Sequence, residues 1–292
     1  MAGDRRVSEV FDATRCALGE GPLWHPEREQ LFWFDILNHR LLTQENGKTR
    51  IVQFDEHVSA AGWVSDTELL IASESRLLLF DLEREKAEDV EGLEPDNALT
   101  RSNDGRADPW GGFWIGTMAK DQADHAGAIY RYYNGRLTKL HHRLSIPNAI
   151  CFSPDRKFAY FTDTPTQMVK RQRLESDRGW PDGEAEVWLD LSADDVFPDG
   201  AVVDAKGVFW NAQWGAGRVA AYSPDAKLVD VISFNAANTT CPAFGGTDLS
   251  TLFCTSATKE LTDIEKEKCP DFGRTFAAPE TGRGQPEHRV KL

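Results

Sequence analysis

A motif that recurs along the whole chain most constrains how it can fold. Each copy begins with a small or polar residue, continues as a short apolar strand, turns at Pro, Asp or Gly, and returns as an aromatic strand. Clear copies cover residues 21–35, 103–116, 148–163 and 199–211, and two weaker copies begin near Ala61 and Phe244. A period of roughly 40–50 residues with about four strands per period is typical of β-propeller blades. The chain is therefore predicted to be all-β, as a six-bladed β-propeller.

The two ends of the chain are predicted to close the ring. Residues 6–11 and 288–292 both have the composition of strands, so we expect them to share the last blade. The Gly- and Pro-rich residues 269–287 are expected to form a loop, ordered or mobile, before the last strand. A short helix is expected at residues 261–268. No linker interrupts the repeat, so residues 1–292 are predicted to form a single β-propeller domain.

Composition limits the partners of such a protein. The chain has 292 residues with 33 Lys and Arg against 47 Asp and Glu, a formal net charge of −14. An acidic surface repels phosphates and anionic headgroups, so neither nucleic acid nor a membrane is an expected partner. The N-terminal residues do not resemble a signal sequence, and five cysteines without a C-x-x-C motif favour a reducing compartment. We therefore predict a cytoplasmic protein, and a monomer, because a closed propeller needs no partner for stability.

The repeat phase also predicts a site on the propeller axis, because inner strands line the central channel and equivalent positions converge there. The residues at or beside the six repeat starts are Glu20, Ala61, Asn103 with Asp104, Asn148, Asp199 and Phe244. Burying Glu20 and Asp199 beside Asn148 would be costly without a compensating cation. Any one Asn or Asp before Gly is more often a plain turn residue, but their agreement at one phase favours a metal site.

An all-oxygen donor set suits one divalent metal ion. Ca²⁺, Mg²⁺ and Mn²⁺ prefer such ligands, and Zn²⁺ or Fe(II) could be held with water in the open positions. Three protein ligands leave room for a substrate, as a catalytic metal requires.

Six short motifs carry a resemblance to a known family. They are residues 18–24 (LGEGPLW), 101–105 (RSNDG), 116–118 (GTM), 146–149 (IPNA), 198–200 (PDG) and 244–246 (FGG). In this order, over essentially the whole chain, they resemble the regucalcin (senescence marker protein)/gluconolactonase family. The resemblance implies a six-bladed propeller, a single divalent metal and hydrolysis of sugar-derived lactones.

The resemblance also implies roles for individual residues. Glu20, Asn148 and Asp199 would be the metal ligands, Asp199 would double as the general base, and Arg101 and Asn103 would contact substrate oxygens. Animal members of the family carry an acidic residue shortly after the Gly-Thr-Met triplet that helps to hold substrate. This chain reads AKDQ at residues 119–122, where Asp121 could take that role. The departure leaves the preferred lactone open.

Lactone hydrolysis needs a stabilised oxyanion and a base for the attacking water. The metal would stabilise the oxyanion, and Asp199 is the favoured base, although a bound cation lowers the pKa of a carboxylate. A metal-bound water therefore stays an alternative base. Two other functions also stay open, namely a non-catalytic divalent-cation-binding propeller and a hydrolase of other esters.

Overall fold

The computed structural model describes residues 8–292, and almost every regular element in this range is a β-strand. The strands of the first three blades are β2 (Gly19–His25), β3 (Gln30–Asp35), β4 (Arg40–Glu45), β5 (Lys48–Gln53); β6 (Val58–Ser65), β7 (Glu68–Ser73), β8 (Arg76–Asp81), β9 (Lys86–Gly92); and β10 (Thr100–Ala107), β11 (Phe113–Ala119), β12 (Gly127–Tyr133), β13 (Arg136–Leu144). Those of the last three are β14 (Pro147–Phe152), β15 (Phe158–Asp163), β16 (Met168–Arg173), β17 (Glu186–Asp190); β18 (Phe197–Val203), β19 (Phe209–Trp214), β20 (Arg218–Tyr222), β21 (Leu228–Ser233); and β22 (Thr239–Gly245), β23 (Thr251–Ser256), β24 (Thr275–Ala278) with β1 (Glu9–Asp12).

These strands form six four-stranded antiparallel sheets, which confirms the predicted six-bladed propeller. Helical structure in the described range is short. It consists of 3-10 turns at Ile36–Asn38, Thr164–Thr166 and Ser192–Asp194 and one α-helix, α1, at Asp263–Lys268. The helix predicted at residues 261–268 is confirmed, and Thr262 caps it by accepting a hydrogen bond from the backbone of Glu265. No helix within residues 8–292 is long and apolar enough to cross a membrane.

The second strand of each blade shows why aromatic residues mark the repeat. In β3, β11, β15, β19 and β23 nearly every residue is buried, on both faces of the sheet. A blade packs against a neighbour on either side, so its middle strands are buried on both faces and read as continuous apolar runs. Each blade therefore forms a core only with its neighbours, and a closed ring is required.

Ring closure differs in part from the prediction. The N-terminal strand β1 does join the last blade, where Val10 pairs with Phe276 of β24. Of the predicted segment 6–11, residues 6 and 7 lie outside the described range. The predicted C-terminal strand at residues 288–292 is wrong, since this segment forms no strand. Its place is taken by β24, a four-residue strand inside the predicted loop 269–287, which is too short to stand out among Gly and Pro residues.

The C-terminal residues instead cross the end of the channel where the inner strands finish. Val290 N donates to Trp63 O, and Lys291 N donates to Gly111 O, both at 2.9 Å. Gln285 Nε2 donates to the carbonyl oxygen of Val203, the last residue of β18, at 2.8 Å. One end of the channel is therefore covered, and the other, where the inner strands begin, holds the predicted site.

Candidate active site on the propeller axis

The predicted site residues lie at irregular points of the inner strands. In β2, β10, β14 and β18 the pairing with the next strand is interrupted by a β-bulge, and these bulges contain or border Glu20, Asn103, Asn148 and Asp199. A bulge leaves residues out of the ladder and re-aims their side chains. Gly21 permits the first bulge, because its φ is +52° and a Cβ there would overlap the carbonyl oxygen of Ser59.

In the two weaker repeats the predicted start was misplaced. The inner strand β6 begins at Val58 and β22 begins at Thr239, so the positions near the bulges are Ser59 and Thr240. Ala61 lies in the middle of β6. Phe244 pairs with Leu252 near the far end of β22. No Asn or Asp marks the bulge in these two blades, so the repeat starts predicted at Ala61 and Phe244 fall too far along the strand.

A cavity of about 360 Å³ opens where the inner strands begin. Five of the six predicted site residues line it, namely Glu20, Arg101, Asn103, Asn148 and Asp199. The other lining residues are Leu18, Met118, Gln122, Ile146, Thr164, Pro165, Phe197, Trp214, Lys259 and Glu260. Asp121 is not among the lining residues. It is exposed and accepts a hydrogen bond from Ala123 N at 3.1 Å, while its neighbour Gln122 reaches the cavity.

Two carboxylates dominate the electrostatics of the cavity. Glu20 and Asp199 are only 5% and 4% exposed. Burial raises the pKa of Glu20 well above its usual range, and the charges of Asp199 and Asp104 raise it further. Burial, followed by the charge of Asp104, likewise raises the pKa of Asp199. Arg101 opposes these effects at both acids, and Lys259 opposes them at Asp199, but burial and the neighbouring carboxylates outweigh both cations.

Amide and guanidinium groups lie beside the carboxylates. Arg101 Nη1 donates to Ser102 O at 2.7 Å and to Asn103 Oδ1 at 2.9 Å. Asn103 Nδ2 donates in turn to Asn148 Oδ1 at 2.9 Å and to Pro147 O at 3.1 Å. Burial lowers the pKa of Arg101 to about 10, which leaves the guanidinium charged at neutral pH. The cavity therefore combines a permanent cation and fixed amide donors with two acids.

The donor set fits a divalent cation on chemical grounds. In residues 8–292 no three His, Cys, Asp or Glu side chains are grouped so as to hold a metal, so a third protein ligand here would be of another type, such as an amide oxygen. Glu20, Asp199 and Asn148 offer that combination at the wall of one cavity. A cation placed among them would offset the burial and the neighbouring negative charge that raise both carboxylate pKa values.

Several residues that line the cavity do not lie at a repeat start, so the repeat could not predict them. Lys259 comes from the connection between β23 and β24, and its Nζ lies 6.0 Å from the ring centroid of Trp214 and 3.7 Å from Glu260 Oε1. Trp214 itself ends β19, where its aromatic character reads like another core position. Thr164 belongs to a 3-10 turn after β15. Only the folded ring brings these three residues to the same cavity.

The fold and the site together define a six-bladed propeller with acids, amides and a guanidinium gathered at its axis. The family model described as the SMP-30/Gluconolactonase/LRE-like region matches residues 18–258. The chain belongs to this family, as the six motifs predicted.

Similar proteins share both sequence and fold with this chain. A 6-deoxy-6-sulfogluconolactonase of Pseudomonas putida is 33% identical and covers 89% of this chain and 90% of its own length. A pentonolactonase of Haloferax volcanii is 32% identical, and the match covers 86% of this chain and 85% of that protein. The crystal structure of a calcium-binding protein, regucalcin, from Agrobacterium tumefaciens superposes with a TM-score of 0.96 at 38% identity, covering 99% and 98%. The prediction of a gluconolactonase-like enzyme is therefore confirmed at the level of the family.

Proposed function

We propose that this protein hydrolyses a sugar (aldono) lactone to the aldonic acid in the axial cavity. We further propose that one divalent metal ion, held by Glu20, Asn148 and Asp199, is required. The observation that carries the proposal is the pair of buried carboxylates whose pKa values are raised by burial and repulsion beside an amide oxygen. Such strained acids in a cavity are typical of functional sites. The lactonase relatives support the same reaction class.

Asp199 would act as the general base and then as the general acid. It takes a proton from the water that attacks the lactone carbonyl carbon, and it returns that proton to the ring oxygen when the ring C–O bond breaks. The bound metal would supply Lewis-acid stabilisation of the charge that develops on the carbonyl oxygen. The charge of the bound metal would lower the pKa of Asp199 and so favour the ionised form that accepts the proton.

Arg101 and Asn103 would orient the polyol. The Arg101 guanidinium offers donors in a rigid fork, of which Nη1 is already fixed by Ser102 O and Asn103 Oδ1. Its other N–H groups remain for substrate hydroxyl or carbonyl oxygens. The cavity volume of about 360 Å³ is at the small end of the usual range for ligand sites, which suits a single sugar-sized ring.

One observation favours a second candidate, a hydrolase of other esters. Part of the wall of the cavity is apolar and is formed by Leu18, Met118, Ile146, Phe197 and Trp214. These side chains can contact the C–H faces of a sugar ring, but they would also accept an aryl or alkyl group. The two substrate types therefore have to be compared directly.

The test is hydrolysis of pentonic and hexonic aldonolactones and of aryl acetates, followed by proton release. Protein stripped with a chelator is assayed before and after reloading with Ca²⁺, Mg²⁺, Mn²⁺, Zn²⁺ or Fe²⁺. We expect turnover of lactones only with metal. Asp199→Asn should lower kcat by about 10²–10⁴-fold, because the proton acceptor is lost. The exposed Asp225 provides the matched control, Asp225→Asn, with unchanged activity.

Full activity in verified metal-free protein would contradict the metal requirement. Metal binding without turnover of any ester would favour the non-catalytic cation-binding propeller. Faster hydrolysis of aryl acetates than of every lactone would favour the second candidate.

A further inference from the structure

A chain of hydrogen bonds runs from Arg101 across three blades to the backbone beside Asp199. Arg101 Nη1 donates to Asn103 Oδ1, Asn103 Nδ2 donates to Asn148 Oδ1, and Asn148 Nδ2 donates to Thr164 Oγ1, each at 2.9 Å. Thr164 Oγ1 then donates to the carbonyl oxygen of Pro198 at 2.8 Å. These residues belong to the third, fourth and fifth blades.

The direction of this chain is fixed by its two ends. A guanidinium can only donate hydrogen bonds, and a backbone carbonyl can only accept them. The proton of the Thr164 hydroxyl goes to Pro198 O, so this hydroxyl must accept from Asn148. Asn103 is fixed independently, because its Nδ2 also donates to Pro147 O. Every side chain between the two ends can therefore donate and accept its hydrogen bonds in one direction only.

This fixed direction matters because the two ends of an amide are nearly identical in shape and opposite in charge. Asn148 Oδ1 accepts one hydrogen bond, from Asn103, and a carbonyl oxygen has a second lone pair. A flipped Asn148 would turn an N–H group toward Asn103 Nδ2, which is also a donor. It would also present partial positive charge beside Glu20 and Asp199, where a cation would bind.

We propose that Thr164 is a positioning residue for the metal site. Its hydroxyl holds the amide of Asn148 in the orientation that offers Oδ1 rather than N–H to the cation, and it ties that amide to the peptide bond preceding Asp199. The proposal rests on the proposed function, in which Asn148 and Asp199 are metal ligands. Thr164 is partly buried and lines the cavity, yet it lies outside the repeat starts, and its role is visible only in the folded ring.

Partners that orient a metal ligand are commonly worth 10–100-fold in metal affinity. Thr164→Val keeps the shape of the side chain and removes the hydroxyl, leaving Asn148 Nδ2 without its acceptor and Pro198 O without its donor. Thr164→Ser keeps the hydroxyl. Thr166 is a matched control in the same turn, since its hydroxyl donates to Asp163 O at 2.7 Å and does not line the cavity.

The experiment titrates Mn²⁺ alone into each metal-free protein and follows the loss of the free-ion EPR signal. We expect Thr164→Val to weaken Mn²⁺ binding by about 10–100-fold, Thr164→Ser to stay within about 3-fold of the wild type, and Thr166→Val to bind as the wild type does. We also expect Thr164→Val to have lower lactonase activity at limiting Mn²⁺, and this activity should return as Mn²⁺ is raised to saturation. Thr164→Ala provides a second test without the hydroxyl if the valine variant folds poorly.

The possible failures are distinguishable. Wild-type affinity in both the valine and alanine variants would overturn the role of Thr164 and leave the proposed function intact. Equal weakening in Thr164→Ser and Thr164→Val would assign the effect to packing and also overturn it. A wild-type protein that binds no Mn²⁺ would overturn the proposed metal site together with this inference.

Discussion

Buried charged residues in this propeller occur in two different settings. Arg131 and Asp108 are almost fully buried, and their side chains form a direct ion pair at 2.7 Å, so each charge has a partner of opposite sign. At the cavity, Glu20 and Asp199 are also buried, but burial and neighbouring carboxylates raise both pKa values. The contrast marks the cavity as the place where this chain keeps an electrostatic strain that a bound cation would relieve.

Asp104 gives a pH-dependent test of this strain. Its charge acts on both cavity acids, and burial raises its own pKa from 3.8 to about 6, although Ile150 N donates to its Oδ2 at 2.6 Å. As pH rises from about 4 to about 6, the unfolded chain releases this proton before the folded protein does. The folded state then binds more protons, so the free energy of unfolding falls with rising pH in that window.

Asp104→Asn removes the carboxyl group that titrates, while its neutral amide can still accept from Ile150 N. We therefore expect this variant to reduce the fall in the free energy of unfolding by on the order of 2 kcal/mol. Urea unfolding of the metal-free protein between pH 4 and pH 7 measures the difference. Asp225→Asn, at an exposed position, should leave the pH profile unchanged. If the free energy of unfolding of Asp104→Asn falls with pH as steeply as that of the wild type, the carboxylate of Asp104 carries no buried charge at neutral pH.

At the scale of elements, the ring is held by pieces from both ends of the chain. The strand β1 completes the last blade, while residues 279–292 cover the far end of the channel without forming a long strand. Val290 is the apolar anchor of this C-terminal segment. It is 1% exposed and packs in a cluster with Ala60, Ala107 and Phe113.

We expect Val290→Ala to lower the free energy of unfolding by about 2 kcal/mol, because it leaves a cavity in a packed core. The kcat/KM for a lactone should not change, since Val290 lies at the opposite end of the channel from Asp199. Leu292→Ala is the control, because Leu292 is 50% exposed and its loss should cost less than about 0.5 kcal/mol. Chemical unfolding and steady-state kinetics on the same preparations separate the two effects. Loss of activity without loss of stability would contradict this division of roles.

At the scale of the molecule, a metal that joins three blades should stabilise the whole ring. Glu20, Asn148 and Asp199 belong to the first, fourth and fifth blades, so a cation bound to all three would link them across the axis. A ligand at 100 times its dissociation constant stabilises the folded state by about 2.7 kcal/mol. The cytoplasmic location and the monomeric state stay predictions at this scale.

We expect the melting temperature of the chelator-treated protein to rise by roughly 5 °C or more when metal is added at that concentration. Glu20→Gln should abolish most of this rise, because it would remove one of the two proposed anionic ligands. Thermal unfolding followed by circular dichroism measures the effect, with NaCl at matched ionic strength as the control. An equal rise in the wild type and in Glu20→Gln would place the cation elsewhere.

The sequence by itself determined the blade repeat and the residues at four bulges. The local signals are the strand alternation, the turn residues and the polar residues at the repeat starts, namely Glu20, Asn103, Asn148 and Asp199. Each clear repeat carries these signals at the same position. Where a blade lacks an Asn or Asp at its bulge, as at Ser59, that local signal is missing and the position was misplaced.

Only the tertiary structure decided how the ring closes and which further side chains reach the cavity. The strand β24 is recognisable by its pairing with β1 and β23, because its four residues are too few for a local pattern. Lys259 and Trp214 meet at the cavity from different blades. The bond from Thr164 to Pro198 joins residues 34 positions apart. Such contacts depend on how whole blades are placed around the axis, and no window of sequence contains both partners.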